Sequence, residues 1–342
     1  MAFKTDDIIF LLGAGASKEA DIPISTDMID NVNDLIKDDW RQYANLYYLV
    51  KSAIQYADGI QGKKDDNFNI ERLFNVLNEL IKKEEHPLYP FIGSWNIRLN
   101  EIIGDQNFHK IKEFQEKILA ELQIWIDLNE VRKASYFKKL ENFRREYTPF
   151  RIFTLNYDLC IEKVFQNKDE FIVQRGFNSE RKWDYKLFSE YEESSEPDIY
   201  LYKLHGSIDW ERNEETGEIK DSDGTVKKPN LIFGTSYKLQ YVDPFLFLFS
   251  EFRYYLLRSK LIIVIGYGFG DEHINGLLKQ SLKQDKNRKI LYTSRSCDSD
   301  YLIEKLNCNR NQVIIEKCYA KEFLEKKLKI TELAKHFPEM EE

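Results

Sequence analysis

The stretch Ile8–Pro23, IIFLLGAGASKEADIP, opens the chain with an apolar run that ends at two glycines. Five consecutive apolar residues predict a buried strand, and the glycines predict a tight turn after it. Gly13 and Gly15 would let backbone amides approach a ligand, and a helix starting near Ala16 would point its positive end at a phosphate. Lys18 replaces the third glycine of the usual dinucleotide fingerprint. The stretch therefore predicts either a nucleotide-binding loop or a simple strand-to-helix turn.

Composition limits the class of protein. The 342 residues carry a net charge of −8 and are 42% hydrophobic, which is typical of a globular protein and disfavours direct binding to nucleic acid. The longest apolar runs, FLFLF and LIIVI, are too short to cross a bilayer, and the opening MAFKTDD does not resemble a secretory signal. The four cysteines lack the CxxC spacing of a zinc site. We therefore expect a cytoplasmic protein with reduced cysteines and no metal.

Apolar runs and helical periodicity divide the chain into parts. Strands are predicted at 7–12, 150–154, 198–204, 230–233, 261–265 and 288–292, alternating with helices, which indicates an α/β fold with a Rossmann-like parallel sheet. Apolar residues at helical spacing, such as Ile70, Phe74 and Leu77, predict a large all-helical insertion. The predicted parts are a core of 1–26 with 148–318, an insertion of 27–147, and a C-terminal helix and tail of 319–342.

The stretch Ile152–Phe165, IFTLNYDLCIEKVF, places three polar side chains where a strand ends. Thr154, Asn156 and Asp158 would lie at the carboxyl end of a parallel strand, where open α/β sheets bind ligands. The alternative is that Asn156 or Asp158 caps the following helix. Three polar groups in five positions exceed what a cap requires.

Two later stretches repeat this pattern. In YLYKLHGSIDW, Tyr200–Trp210, His205 leaves a strand, and it is either structural or a general base. In LIIVIGYGFGDEHI, Leu261–Ile274, glycines follow a strand and precede Asp271. Either this is a second loop that lines a ligand, or Asp271 caps a helix after a sharp turn.

The order GAGAS, TLNYD, KLHGS, GYGFGD resembles the sirtuin superfamily, and most closely its divergent prokaryotic branch known from antiphage defence. In sirtuins the first loop reads GAGxS, the second TQNxD, and the third ends in HG. The resemblance covers roughly 5–25 and 148–295 and leaves out the helical insertion. It implies a sirtuin-type Rossmann-like core that binds NAD.

The sequence departs from the deacylating sirtuins in three places. The paired CxxC zinc module is absent, Leu155 replaces the glutamine of TQNxD, and ISTDM at Ile24–Met28 replaces an acid-aromatic-arginine step. These departures disfavour an acyl-lysine peptide groove. The resemblance retains the part that binds NAD and opens its nicotinamide ribosyl bond, which predicts an NAD hydrolase that releases nicotinamide and ADP-ribose.

The resemblance also implies residue roles. Asn156 would hold the nicotinamide ribose and order the attacking water, His205 would contact the ribose hydroxyls and act as base, and Asp158 would hold the nicotinamide amide. The remaining predicted NAD-binding residues are Gly13, Ala14, Gly15, Ser17, Thr154, Gly266, Tyr267, Gly268 and Asp271. For the adenine end, Ser294 is a weaker candidate.

Control of the activity is expected as well, because an unrestrained NAD hydrolase would kill its host. The resemblance implies a homo-oligomer or a partner, such as a HerA-type ATPase or another defence protein. The helical insertion and the C-terminal helix are candidate contact regions. The alternative function is an NAD or ADP-ribose sensor without catalysis; deacylation, ADP-ribosyl transfer and a structural subunit are further alternatives.

Overall fold

The computed structural model describes residues 3–62, 68–81, 99, 101–102, 104, 109–166, 171–189, 196–232 and 242–337. The predicted tail therefore lies partly outside the described residues, from 338 onward. The chain forms two compact units. The first comprises Met1–Ile22, Asp127–Ile232 and Leu239–Glu342, and the second comprises Pro23–Ile126 with Phe233–Lys238.

A seven-stranded sheet forms the centre of the first unit. All of its neighbouring strands pair in parallel, in the order β10-β9-β8-β1-β2-β4-β3. The five strands that carry its middle are fully or almost fully buried, because helices cover a parallel sheet on both faces. The strands are β1 (Ile8–Leu12), β2 (Phe150–Thr154), β3 (Val173–Gln174), β4 (Ile199–Lys203), β8 (Leu261–Ile265), β9 (Lys289–Thr293) and β10 (Val313–Glu316). The predicted Rossmann-like fold class is confirmed.

A second, smaller sheet has three antiparallel strands in the order β6-β5-β7. They are β5 (Gly206–Arg212), β6 (Ile219–Asp221) and β7 (Pro229–Leu231). The strand predicted at 230–233 thus belongs to this sheet and not to the parallel one. The strand β5 begins within the third motif, and β6 and β7 follow it closely in the chain. Short connections join antiparallel strands, whereas parallel strands need a long crossover.

The helices of the two units differ in setting. The first unit contains α5 (Lys139–Arg144), α6 (Cys160–Phe165), α7 (Phe245–Leu256), α8 (Glu272–Gln284), α9 (Ser299–Leu306), α10 (Ala320–Glu322) and α11 (Ile330–Ala334). The second contains α1 (Ser25–Lys37), α2 (Ala44–Ile60), α3 (Ile70–Ile81) and α4 (His109–Ile126). Among the described helices, none is both long and apolar enough to cross a membrane.

The second unit is helical in its described residues, and its core follows the predicted periodicity. Ile70, Phe74 and Leu77 are buried on α3, as is the row Ile111, Phe114, Ile118 and Leu122 on α4. The ring of Phe114 stacks on Tyr43 with centroids 5.0 Å apart. Stacked aromatics and a continuous apolar stripe account for the packing of these helices against one another.

Candidate functional site

Four motifs meet at one edge of the parallel sheet. The strands that carry them, β8, β1, β2 and β4, are consecutive neighbours. Leu12 lies in register with both Thr154 and Ile265, and Thr154 lies in register with Lys203. All four strands therefore end at the same level, and their carboxyl ends present the motifs side by side, as open α/β sheets present ligand sites.

The first loop is held by hydrogen bonds within the protein. The amide of Gly13 donates to the carbonyl of Ile265 over 2.9 Å, and the amide of Gly15 donates to the carbonyl of Gly266 over 2.8 Å. The amides of Ala16 and Ser17 also donate within the loop. Among the described residues no acceptor contacts the amide of Ala14, and this residue is exposed. The amide that this loop can offer to a ligand is therefore that of Ala14.

The helix expected near Ala16 is not present. Two short 3-10 turns, Ala14–Ala16 and Lys18–Ala20, follow the loop instead, and Asp21 then has a left-handed backbone with φ of 64°. That conformation ends the helical turn, and Pro23 disfavours helix at the residue before it. No helix dipole is available here to attract a phosphate.

The fourth motif packs against the first. Gly266 has φ of +67°, and a Cβ atom added to it would lie 2.0 Å from the nitrogen of Ala16. Tyr267 is buried, and its hydroxyl lies 2.9 Å from Oδ1 of Asn275. Gly268 is exposed, with open space where a side chain would begin. In this motif, Gly266 and Tyr267 shape the first loop, whereas Gly268 faces open space.

Asn156 connects the second motif to the first. Its Nδ2 donates to the carbonyl of Gly13 over 3.1 Å and to Oγ of Ser17 over 3.2 Å. Its backbone amide donates to Oγ1 of Thr154 over 3.1 Å. Both amide hydrogens of the side chain are thus engaged, which fixes the orientation of the group. The oxygen Oδ1 remains as the acceptor that this side chain can offer.

Asp158 lies two residues after Asn156. It provides part of the helix cap that is one of the two interpretations of this stretch. Its Oδ1 accepts a hydrogen bond of 2.9 Å from the amide of Cys160, the first residue of α6. Burial raises the pKa of the Cys160 thiol, and the Asp158 carboxylate raises it further. The thiol is therefore protonated at neutral pH and is not a nucleophile.

A small cavity of about 10 Å³ lies beside these side chains. Asn156, Asp158 and Lys203 contribute to its wall, and His205 does not. The other lining residues are Leu12, Ser17, Phe137, Thr154, Cys160, Ile161, Glu162 and Leu201. Side chains from the first three motifs thus line the same small cavity.

His205 is buried where the third motif leaves β4. Its Nε2 lies 3.3 Å from Oδ2 of Asp271, and the two side chains are 3% and 5% exposed. The other oxygen of Asp271 accepts from the amides of His273 and Ile274 and so caps α8. The interpretation of Asp271 as a helix cap is therefore confirmed, and its second oxygen faces the histidine.

Comparison with known families identifies the second half of the chain. A family model described as a SIR2-like domain matches residues 151–315. This stretch of the chain is similar to SIR2-like domains. The predicted sirtuin-like assignment is confirmed at this level.

The chain is also similar to solved Sir2 structures. A triply substituted Sir2 homologue in complex with 2′-O-acetyl ADP-ribose matches with a TM-score of 0.48 and 13% identity, covering 98% of this chain and 94% of that one. A Sir2 homologue in complex with NAD matches with a TM-score of 0.46 and 13% identity, covering 94% and 87%. The comparison with curated proteins gave no match.

A buried charge network in the SIR2-like domain was not found from the sequence. Lys203 is 1% exposed, and its Nζ lies 3.0 Å from Oε1 of Glu162 and also donates to the carbonyl of Asp158. Arg175 lies 3.6 Å from the same carboxylate and 2.6 Å from Asp209. The sequence feature that indicates such a network is Lys203, a lysine inside the apolar run YLYKL, because a buried lysine is almost always paired.

Proposed function

We propose that this protein is an NAD+ glycohydrolase that converts NAD+ and water to nicotinamide, ADP-ribose and a proton. The observation that carries the proposal is the meeting of Asn156, Asp158 and His205 on neighbouring strand ends beside the Gly13–Ser17 loop. The SIR2-like domain supports a reaction that uses NAD. The absence of CxxC from the sequence supports hydrolysis over deacylation.

The glycosidic bond is the reacting bond. When it breaks, nicotinamide leaves with the bonding electron pair as a neutral base, and positive charge develops on the ribose. Asn156 offers Oδ1 to a water or a ribose hydroxyl, because its Nδ2 is held by the first loop. A fixed acceptor places the water for attack without the entropy cost of ordering it during the reaction. Asp158 lines the same pocket and is proposed to hold the nicotinamide amide.

His205 is proposed as the base. The attacking water must lose a proton, and an imidazole is suited to accept it near neutral pH. For the diphosphate we propose the amide of Ala14, since the other amides of Gly13–Ser17 donate within the protein. The first loop would then be supported by Gly15, Ser17, Gly266 and Tyr267. It would be surrounded by Thr154, Gly268 and Asp271.

For the biological setting we propose an antiphage role with control by assembly. This rests on the resemblance of the four motifs to the defence branch of the sirtuin superfamily. The activity would be released in a homo-oligomer or by a partner such as a HerA-type ATPase. An NAD or ADP-ribose sensor without catalysis is the second candidate, and the buried position of His205 outside the pocket wall favours it.

The test is NAD+ consumption by the purified chain, alone and with the protein encoded beside it, with products resolved by chromatography. Asn156→Ala and His205→Ala are compared with Asn287→Ala and His109→Ala, which change exposed residues of the same types. We expect each site variant to lose roughly 10²–10⁴-fold in rate, and each control to retain it. NAD+ that binds and stays intact in every mixture would replace the hydrolase with the sensor.

A further inference from the structure

We propose that Tyr136 is a positioning residue for the first loop, and that it holds Ala14–Ser17 in the conformation that meets the ligand. Its Oη donates a hydrogen bond of 2.6 Å to the carbonyl of Ala16, and both residues are buried. They are 120 positions apart in the sequence, so the fold and not the local chain brings them together. The ligand part of this inference rests on the proposed function, and the structural part rests on contacts within the fold.

The first loop depends on contacts from other parts of the chain because it does not continue into an α-helix. Its two 3-10 turns, Ala14–Ala16 and Lys18–Ala20, are three residues each. Turns of this length close few hydrogen bonds of their own. The fourth motif holds the amides of the two loop glycines, and Asn156 donates to the beginning of the loop. Tyr136 adds a buried contact at Ala16.

The side chain of Tyr136 has a defined place in the fold. It lies in the 3-10 helix Val131–Lys138, directly before Phe137, and the two rings are 4.6 Å apart, centroid to centroid. Phe137 lines the small cavity beside Asn156. Burial raises the pKa of the Tyr136 hydroxyl well above its ordinary value. The hydroxyl therefore stays protonated and remains a hydrogen-bond donor at neutral and mildly alkaline pH.

The segment that carries Tyr136 is tied to the first two motifs by ion pairs as well. Nζ of Lys163, on the helix α6 that follows the second motif, lies 2.8 Å from Oδ1 of Asp127. Nζ of Lys133 lies 2.7 Å from Oδ2 of Asp21, which follows the first loop. These pairs are partly exposed, and such pairs contribute little to stability. The buried hydroxyl is therefore the contact of this segment that can fix the loop most firmly.

The consequence for a ligand follows from the neighbours of Ala16. Its carbonyl is buried, so loss of the tyrosine donor deprives a buried acceptor of a hydrogen bond and favours opening of the loop. Ala14 belongs to the same 3-10 turn, and Oγ of the adjoining Ser17 accepts from Asn156. Movement of this turn therefore displaces the amide proposed for the diphosphate together with the side chain proposed to place the water.

The test is Tyr136→Phe, which removes one oxygen atom and keeps the ring. The matched control is Tyr147→Phe. Tyr147 is also buried, and its hydroxyl accepts from the amide of Ile8 and donates to the carbonyl of Lys4, each over 3.0 Å, at the opposite end of β1. Both variants should have a slightly lower Tm. Hydrogen exchange of the ligand-free protein, resolved by peptide, reports the first loop, and calorimetry with ADP-ribose reports binding without a reaction.

We expect the segment Gly13–Ser17 to exchange roughly fivefold faster in Tyr136→Phe, and ADP-ribose to bind roughly fivefold more weakly. The control should match the wild type in both readings despite its lower Tm, because its contacts lie at the other end of the strand. Unchanged exchange in Tyr136→Phe, or an equal acceleration in Tyr147→Phe, would overturn the inference.

Two further outcomes separate this inference from the proposed function. Faster exchange of the loop with an unchanged affinity for ADP-ribose would overturn the ligand part of the inference. If the loop exchanges faster but the wild type neither binds ADP-ribose nor consumes NAD+, the positioning of the loop by Tyr136 stands and the hydrolase proposal falls.

Discussion

Replacement of Gly266 by alanine tests whether the fourth motif shapes the first loop. A Cβ atom at this position would lie 2.0 Å from the nitrogen of Ala16 and 2.2 Å from the carbonyl carbon of Gly15. Ordinary contacts of a Cβ atom are 3.4–4 Å. The obstructing atoms are backbone and cannot rotate away, so the two loops must separate by roughly 1 Å or more. Such a shift also disturbs the hydrogen bond from the amide of Gly15 to the carbonyl of Gly266.

The size of the effect follows from two costs. Alanine in the left-handed region costs about 1 kcal/mol more than glycine, and overpacking against a fixed backbone costs about 1–3 kcal/mol. Together they predict a loss of about 3 kcal/mol in the free energy of unfolding. For a domain of about 150–250 residues, each kcal/mol shifts Tm by roughly 2–4 °C. We therefore expect Gly266→Ala to lower Tm by about 6–12 °C.

The assay is thermal unfolding followed by circular dichroism, with NAD+ binding measured by calorimetry on the folded variant. Gly270→Ala is the matched control, because a Cβ atom there meets nothing within 4 Å and its φ is not in the positive range. The control should stay within about 0.5 kcal/mol of the wild type. If Gly266→Ala has the Tm and the affinity of the control, the first loop does not depend on close packing against the fourth motif.

Three further outcomes follow from the site. Glu162→Gln should destabilise the fold by about 3–5 kcal/mol, since it removes the carboxylate that pairs with the buried Lys203, and the double variant with Lys203→Met should recover part of this in urea unfolding. Asn156→Asp should lower Tm and abolish activity, because a carboxylate cannot donate to the first loop; a variant that keeps both would contradict the assignment. The pKa of Cys160 is raised in the folded state, so the stability that it contributes is complete below about pH 8.5 and is lost as pH rises. Urea unfolding between about pH 7.5 and 9.5 should therefore show a shallower decline in Cys160→Ala than in the wild type.

The arrangement of the strands explains which parts of the site the sequence could predict. Thr154, Asn156 and Asp158 follow a strand, as do His205 and the glycines of the fourth motif. Parallel strands share a carboxyl edge, so a common location followed from the strand predictions alone. The order of the strands did not follow, because consecutive strands in the chain need not be neighbours. That order places β8, β1, β2 and β4 side by side and brings the motifs into contact.

Two contacts could not be predicted because they depend on side-chain direction across the sheet edge. A helix cap was a natural interpretation of Asp271, and the cap exists, but a sequence does not show that the second oxygen faces His205. Lys203 likewise required a buried anion, yet several acids in the chain could have supplied it. Glu162 supplies it because α6 begins just after β2, which is the neighbour of β4 in the sheet. A lysine in an apolar run indicates that a partner exists, but only the fold determines which residue it is.

The glycine-rich loops have a packing role that their motifs do not predict. Gly13 and Gly15 are expected to let backbone amides approach a ligand, and in the structure their own amides donate to the carbonyls of Ile265 and Gly266. A Cβ atom on Gly13 would lie 2.6 Å from the Cα of Tyr267, so these glycines are required where two loop backbones touch. The case for a ligand at this edge therefore rests on the exposed amide of Ala14 and on the polar side chains that the loops hold in place. An alanine substitution at any of these glycines would impair the site by displacing those side chains, whether or not a glycine ever contacts NAD.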